Sequence, residues 1–319
     1  MNFRDMTEED FVSEFRRLGT QGLAQKLGCY PQRIRERRAE IEATTGIKLI
    51  SPNAHIQINE NAHSRRHMMT VDDGVVIVFS DAHYWPGIIS TAHRALIKAC
   101  KEFGSTLKGV ICNGDAFDGA SISRFPVQQW LDADKRPSVK EELDACKDRL
   151  TEIELACRRG IDLSWNLGNH DARYEAKLAA SVPEFSKCSG FHLKDHFPRW
   201  TPAWSTWING DVVTKHRYRG GIHASHNNTV NSGKTIVTGH LHSLKVTPFT
   251  DYNSTRWGVD TGTLADPTGP QFDYAEDNPM NHRSGFVVLT FHKGRLLWPE
   301  ICAVIDDSHV EFRGRVWNV

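Results

Sequence analysis

Apolar and polar positions change rhythm once along this chain, near residue 65. Before that point the apolar residues recur at helical spacing. Phe11, Val12, Phe15 and Leu18 form one stripe over residues 6–19, opened by Thr7 with Asp10 in an acidic form of the capping box and broken at Gly19 and Thr20. A short amphipathic helix comes next, with Leu23, Ala24 and Leu27 inward and a stop at Gly28. A third predicted helix runs from Gln32 to Thr44, with Ile34 and Ile41 on its apolar side and Gly46 beyond its end. Residues 51–64 are polar and Asn-rich and read as a linker. From there the rhythm is that of buried strands. Val75 to Phe79 is five apolar residues in a row, expected to form a hairpin with a strand from His67 to Val71 through the turn Asp72-Asp73-Gly74.

Strands then alternate with helices, which predicts an α/β body over residues 65–319 behind a small all-α domain at 1–50. Helices are expected over Ile88–Phe103 and Ser138–Arg159, and strands over Gly109–Cys112, the IDLSWN run from Ile161, Asp211–Lys215 and Lys234–Gly239, with two closing strands over Ser284–Phe291 and Gly294–Ile305. The residues at the strand ends carry the chemistry. The first strand ends in Asp81 and His83, the second in Asp115 with Asp118, the third in Asn169, His170 and Asp171, the fourth in His216, and the fifth in His240 and His242. Polar residues recurring at the carboxyl ends of buried strands point to a shared cleft. Two-metal chemistry needs about seven oxygen and nitrogen ligands, and the inventory fits.

Composition narrows the options. Lys plus Arg equals Asp plus Glu at 39 each, so any electrostatic preference is local. No apolar run approaches the roughly 20 residues of a membrane span, and the segment MNFRDMTEED has no signal-peptide pattern. The seven cysteines are scattered and never in CxxC spacing, so a reducing, cytoplasmic setting is expected (the host cytoplasm if the chain is viral).

The four strand-end motifs, DAH at Asp81–His83, GDAFD at Gly114–Asp118, GNHD at Gly168–Asp171 and GHLH at Gly239–His242, together resemble the signature of the calcineurin-like metallophosphoesterases over about residues 70–300. The resemblance implies a four-layer αββα sandwich with two mixed sheets. It further implies one metal held by Asp81, His83, Asp115 and His242 and a second by Asp115, Asn169, His216 and His240, with Asp115 bridging. His170 would contact the phosphoryl oxygen or protonate the leaving group, and Asp171 would orient its imidazole. The family marks the lone-histidine position by one residue, and His223 and His226 are alternatives to His216. The mixed oxygen and nitrogen donors favour Mn²⁺, with Fe, Zn²⁺ or Ni²⁺ as alternatives, over an all-oxygen Mg²⁺ cage. Arg124 and Arg173, just past two motifs, are candidates to hold phosphate oxygens.

The first fifty residues resemble helix-turn-helix modules of small phage and bacterial DNA-binding domains, which suggests a phage-type member of the family. Eight Lys or Arg stand against four Asp or Glu from Phe11 to Ile50, and Arg33, Arg35, Arg37 and Arg38 are the candidate DNA contacts. The expected function is hydrolysis of phosphate esters, as a phosphodiesterase or nuclease acting on nucleic acid. The alternatives are a phosphomonoesterase whose helical domain assembles oligomers, and a non-catalytic DNA-binding protein. Trp200, Trp204 and Trp207, beside His196 and Arg199, either stack bases or pack a lid onto the sheet. Arg217 and Arg219 lie directly after His216.

Overall fold

The computed structural model describes residues 6–47, 49, 63–123 and 136–319. α1 (Glu8–Leu27) begins at Thr7, whose side chain accepts from the Asp10 amide at 3.1 Å, and kinks at Gly19 (φ 68°, ψ −174°), so the expected break is a bend between two helical segments. Gly28 in the left-handed region ends it, and α2 (Pro31–Thr45) comes next. Phe11, Phe15, Leu23, Ile34 and Ile41 close an apolar cluster of their own. The Arg37 and Arg38 guanidinium groups sit over the Phe11 and Phe15 rings at 5.2 and 5.5 Å. Arg37 also donates to the Met6 carbonyl, and Arg38 pairs with Glu42 at 2.9 Å. Two of the four candidate DNA-contacting arginines therefore help hold α2 to α1, while Arg33 and Arg35 are exposed. Most of the expected linker lies outside the described residues.

β1 (His67–Met69) and β2 (Gly74–Phe79) are not the hairpin the turn suggested. β1 lies in a six-stranded sheet and β2 in a nine-stranded one, so the Asp72-Asp73-Gly74 segment carries the chain from one sheet to the other. α3 (Thr91–Phe103), β3 (Leu107–Cys112), α4 (Val139–Ala156), β4 (Asp162–Asn166), α5 (Asp171–Ser181) and the short α6 (Leu193–His196) come after it. Then come β5 (Thr201–Ala203), β6 (Thr206–Ile208), β7 (Val212–Thr214), α7 (Ala224–Ser232) and β8 (Thr235–Thr238). β9 (Lys245–Thr250), β10 (Thr255–Asp260), β11 (Gly285–His292), β12 (Arg295–Leu296), β13 (Glu300–Val304), β14 (His309–Phe312) and β15 (Arg315–Asn318) complete the chain. One sheet has the order β1-β6-β7-β8-β10-β9, and the other β15-β14-β13-β11-β2-β3-β4-β5 with β12 on β11. Both mix parallel and antiparallel pairs.

The pleat explains the layers. Alternate residues of a strand face opposite ways, and β2 has both faces covered. Val75, Ile77 and Phe79 pack with Ala92, Leu96, Cys146 and Leu150 of α3 and α4. Val76 and Val78 pack with Ile208, Val237 and Val259 of the other sheet. α7 covers the outer face of the six-stranded sheet against β8, β9 and β10. The result is the four-layer α/β sandwich with two mixed sheets that the motifs imply. Among the described residues no helix is long and apolar enough to cross a membrane.

The tryptophan-rich segment contains strands β5 and β6 and packs inward. Trp200 is buried edge-on against Phe79 and donates to Glu154 at 3.0 Å, so it is closed to base stacking. Trp204 packs against His63 with its indole nitrogen buried. Trp207 lies under the Arg66 guanidinium.

Candidate metal centre

β2, β3 and β4 run parallel and end side by side, as do β7 and β8 in the second sheet. The loops after these ends are knitted together by backbone bonds. The Asp81 amide donates to the Gly114 carbonyl (2.8 Å), the His83 amide to Asp115 (3.0 Å) and the Gly239 amide to His216 (3.0 Å). Side chains from strand ends far apart in sequence therefore meet. Asp81, His83 and His242 form one group with ligand atoms within 4.8 Å of one another, and Asp115, His216 and His240 form another. Of the three histidines that could serve after the fourth strand, His216 is the one brought here. His223 and His226 sit at the start of α7, His226 packing on Phe249.

The backbone is bent to make this possible. Asp81, His83, Asp115, His240 and His242 have φ of 52°, 39°, 54°, 72° and 56°, half of the ten non-glycine residues with positive φ among the described residues. Such conformations cost of order 1 kcal/mol or more each and persist where surrounding structure enforces them. Two motif glycines are required by close approach. A Cβ on Gly168 would fall 2.0 Å from Asp115 Oδ1, and one on Gly239 would fall 2.6 Å from Asp81 Oδ2.

Several of the donors are oriented from behind. His216 donates from Nδ1 to the Asn113 carbonyl at 2.8 Å, and His83 from Nδ1 to Asp118 Oδ1 at 2.8 Å, which turns both Nε2 atoms into the cluster. Asp81 Oδ2 accepts from the Ser80 hydroxyl and from the His240 amide at 2.8 Å, and its Oδ1 lies 3.0 Å from His242 Nε2. The carboxylate of Asp260, at the end of β10, holds the Ser243 amide and hydroxyl beside His242.

Electrostatics fit a cation site. Burial opposes ionisation of Asp115, but the imidazoles of His216, His170 and His83 outweigh it and hold the carboxyl well below its ordinary range. Asp81 is lowered too, His242 and His216 overcoming burial. For His216 burial opposes the charged form, yet Asp115 and Asp81 hold the imidazole up at about 9. Burial and the His216 charge push His240 down to about 4, leaving it neutral as a ligand must be. His83 Nε2, Asn169 Oδ1 and His216 Nε2 are buried and have no hydrogen-bond partner among the described residues. His216 Nε2 is 2.9 Å from Asp115 Oδ2 without hydrogen-bond geometry. Buried polar atoms are ordinarily satisfied, and carboxylate, imidazole and amide groups placed in this way suit divalent transition metals.

His170 stands at the mouth of the cluster, but Asp171 does not orient it. Asp171 is buried beneath the Asp115 loop, where its carboxylate accepts from the amides of Asp115 (2.8 Å), Ala116 (3.1 Å), Phe117 (3.1 Å) and Gly168 (2.8 Å) and from the Trp165 indole (3.0 Å). Asp118 takes the role expected of Asp171, accepting the His170 Nδ1 proton at 3.0 Å as well as that of His83. Arg173 donates to His170 Nε2 at 3.0 Å and to the Asp118 carbonyl at 2.8 Å, so it reaches the site. Arg124 lies outside the described residues. Sequence reasoning missed the roles of Phe272 and His282, which pack on His242 with ring centroids 5.3 and 4.5 Å away. Phe272 ends the Gly/Pro/Thr-rich stretch from Trp257 that reads as a loop shaping the cleft, and His282 lies in a polar stretch without periodicity beyond it.

No family profile matches the chain, and no curated protein matches it. Among solved structures it is similar to a Vps29 variant from Entamoeba histolytica, at 13% identity over 77% of this chain and 99% of that one with a TM-score of 0.40. The wild-type Vps29 of the same organism, complexed with Zn²⁺, is 13% identical over 77% of this chain and 98% of its own, with a TM-score of 0.37. An archaeal phosphodiesterase is 14% identical over 71% of this chain and 99% of its own, with a TM-score of 0.35. Likenesses this distant carry no functional argument, which rests on the residues above.

Proposed function

We propose that this chain is a metal-dependent phosphodiesterase that cuts nucleic acid. The observation that supports it best is the meeting of Asp81, His83 and His242 in one group and of Asp115, His216 and His240 in another, with Nε2 of His83 and of His216 and Oδ1 of Asn169 buried without a hydrogen-bond partner among the described residues. In this reading Asp81, His83, Asp115 and His242 hold one ion and Asp115, Asn169, His216 and His240 the other, with Mn²⁺ favoured over Zn²⁺, Fe or Ni²⁺. A pair of divalent ions supplies charge neutralisation at the phosphate and acidifies water.

The chain's own groups do the rest. Asp118 accepts the Nδ1–H of His170 and so orients the ring, and Nε2, at the mouth, would have to carry a proton to meet an oxygen of the reacting phosphate. The Arg173 guanidinium, now on that Nε2, is positioned to hold a phosphoryl oxygen. Asp171 and the amides it binds keep the Asp115 loop in its strained form. The nucleic-acid part of the reading draws on the exposed Arg33 and Arg35 of α2. All seven cysteines are free, in keeping with a reducing compartment.

The test is a side-by-side assay with Mn²⁺ of bis(p-nitrophenyl) phosphate, p-nitrophenyl phosphate and single- and double-stranded DNA. Turnover of the diester and of DNA well above that of the monoester is the expected result. Fast monoester turnover with DNA intact would replace this reading with a phosphomonoesterase.

A further inference from the structure

Resting on the phosphodiesterase reading, we infer that the loop 215–223, immediately after the ligand His216, is a subsite that grips backbone phosphates flanking the scissile one on a single-stranded nucleic acid.

The first observation is one of charge. The chain has 39 acidic residues in 319, so a stretch of similar length would ordinarily hold about five. Residues 212–250 hold none, against Lys215, Arg217, Arg219, Lys234 and Lys245 and five histidines. Lys234 is paired at 2.7 Å with Asp211, just outside this stretch; the other four cations make a local positive field on a chain with no net charge, at the half of the site that carries His216 and His240.

The second observation is how the loop is built. Its backbone is fixed while its side chains are exposed. The buried Asn228 amide clips Arg219 both ways, accepting from its amide at 3.1 Å and donating to its carbonyl at 3.2 Å. Lys245 Nζ holds the Ile222 carbonyl at 3.1 Å, and the Lys215 and Gly239 amides anchor the start of the loop to β8 and to His216. Residues 217–223 are exposed without interruption. The Tyr218 ring meets the Lys215 ammonium at 5.2 Å and the Arg219 guanidinium at 6.0 Å. No carboxylate among the described residues pairs with Arg217 or Arg219. Cations held ready and left without acids fit a polyanion laid along the rim.

The third observation gives direction. The stretch 266–277, whose Phe272 packs on His83 and His242 beside the other half of the site, carries Asp266, Asp273, Glu276 and Asp277. A strand with its reacting phosphate at the metals is repelled on that side and drawn across loop 215–223. A small aryl diester has no flanking phosphates for the loop to hold.

The experiment is fluorescence anisotropy with labelled oligothymidylate of about twelve nucleotides, within the range of single-strand site sizes, on the full chain in EDTA so that nothing is cleaved. The Arg217→Gln/Arg219→Gln variant is expected to bind at least about tenfold more weakly and to lower the slope of log Kd against log salt by about 1.4, two contacts at 0.7 each. Arg219→Glu should weaken binding further. Run in an Arg33→Gln/Arg35→Gln background, the same loss should persist, which separates the loop from the helical domain. In Mn²⁺ the loop substitutions should lower kcat/KM for the oligonucleotide at least about tenfold more than for bis(p-nitrophenyl) phosphate. Unchanged affinity and salt slope would overturn the inference, as would equal losses on both substrates or tighter binding of a phosphopeptide. If the oligonucleotide neither binds nor is cut while the aryl diester turns over, loop and nucleic-acid substrate both fall and the diester chemistry stands.

Discussion

Asp118 is the residue on which two functions meet. Its carboxylate receives Nδ1 of both His83 and His170, so Asp118→Ala frees the proposed metal ligand His83 and the mouth imidazole together. Loss of a group that orients a ligand typically costs 10–100-fold; kcat for the aryl diester should fall by about that factor, measured with the metal content of the variant alongside. His216 makes metal binding pH-dependent. Held up at about 9 in the free protein by Asp115 and Asp81, it is protonated at neutral pH and must release that proton to a metal. Apparent affinity should therefore rise by up to about tenfold per pH unit towards 9 and then level off, with proton release visible by calorimetry in two buffers. Without metal the sign reverses: this ion pair stabilises the fold below the unfolded imidazole value and is lost as pH passes 9. The candidate ligand positions are legible in the sequence because each is polar and lies just past a buried strand. The different place of Asp171 has a physical cause. It adjoins His170 in sequence, but as the first residue of α5 it turns beneath the Asp115 loop.

At the level of elements, the two sheets are joined below the site by a buried polar chain that no periodicity announces. Asn166 on β4 donates to Asn113 Oδ1 and Thr214 Oγ1, both at 2.7 Å, and accepts from Thr206 at 2.9 Å. Asn113 in turn holds the Lys215 and Val237 carbonyls and, by its own carbonyl, His216. Asn166→Ala removes three bonds, of which Thr206 and Thr214 each keep another hydrogen bond while Asn113 Oδ1 is left unsatisfied; at about 1–3 kcal/mol per unsatisfied buried group, urea unfolding should show a loss of roughly 1–3 kcal/mol. Glu142 of α4 offers a second test. Burial and the Asp118 charge push its carboxyl up to about 8 against the Ala120 amide. The folded chain thus keeps a proton that the unfolded chain releases near 4.5, and stability falls as pH rises from there through 8. Glu142→Gln should flatten that slope and be the more stable protein at pH above 8. Strand existence is legible from runs such as Val75–Phe79, while pairing is not. An Asp-Asp-Gly turn suits a hairpin and a change of sheet equally, and β1 and β2 are apolar enough for either.

Across the whole molecule, balanced charge conceals an uneven sequence, with cations and no acids in the stretch after His216, while on α2 the exposed Arg33 and Arg35 stand among the exposed Glu36 and Glu40. The helical domain has its own apolar cluster, so removing residues 1–62 should leave turnover of the aryl diester within about twofold while lowering DNA cleavage several-fold, with additive losses if the two regions act independently. DNA cleavage unaffected by the deletion would retire any tethering role for Arg33 and Arg35. The central claim is that seven side chains from five strand ends form one two-metal centre. Its most direct measurement is the metal content of the purified chain after Mn²⁺ loading, alongside bis(p-nitrophenyl) phosphate turnover, for the parent and for Asp115→Ala. The account predicts two ions per chain with turnover in the parent, and at most one ion with turnover lost in the variant. A parent that binds no metal tightly, or a variant that keeps both ions and full turnover, would contradict it.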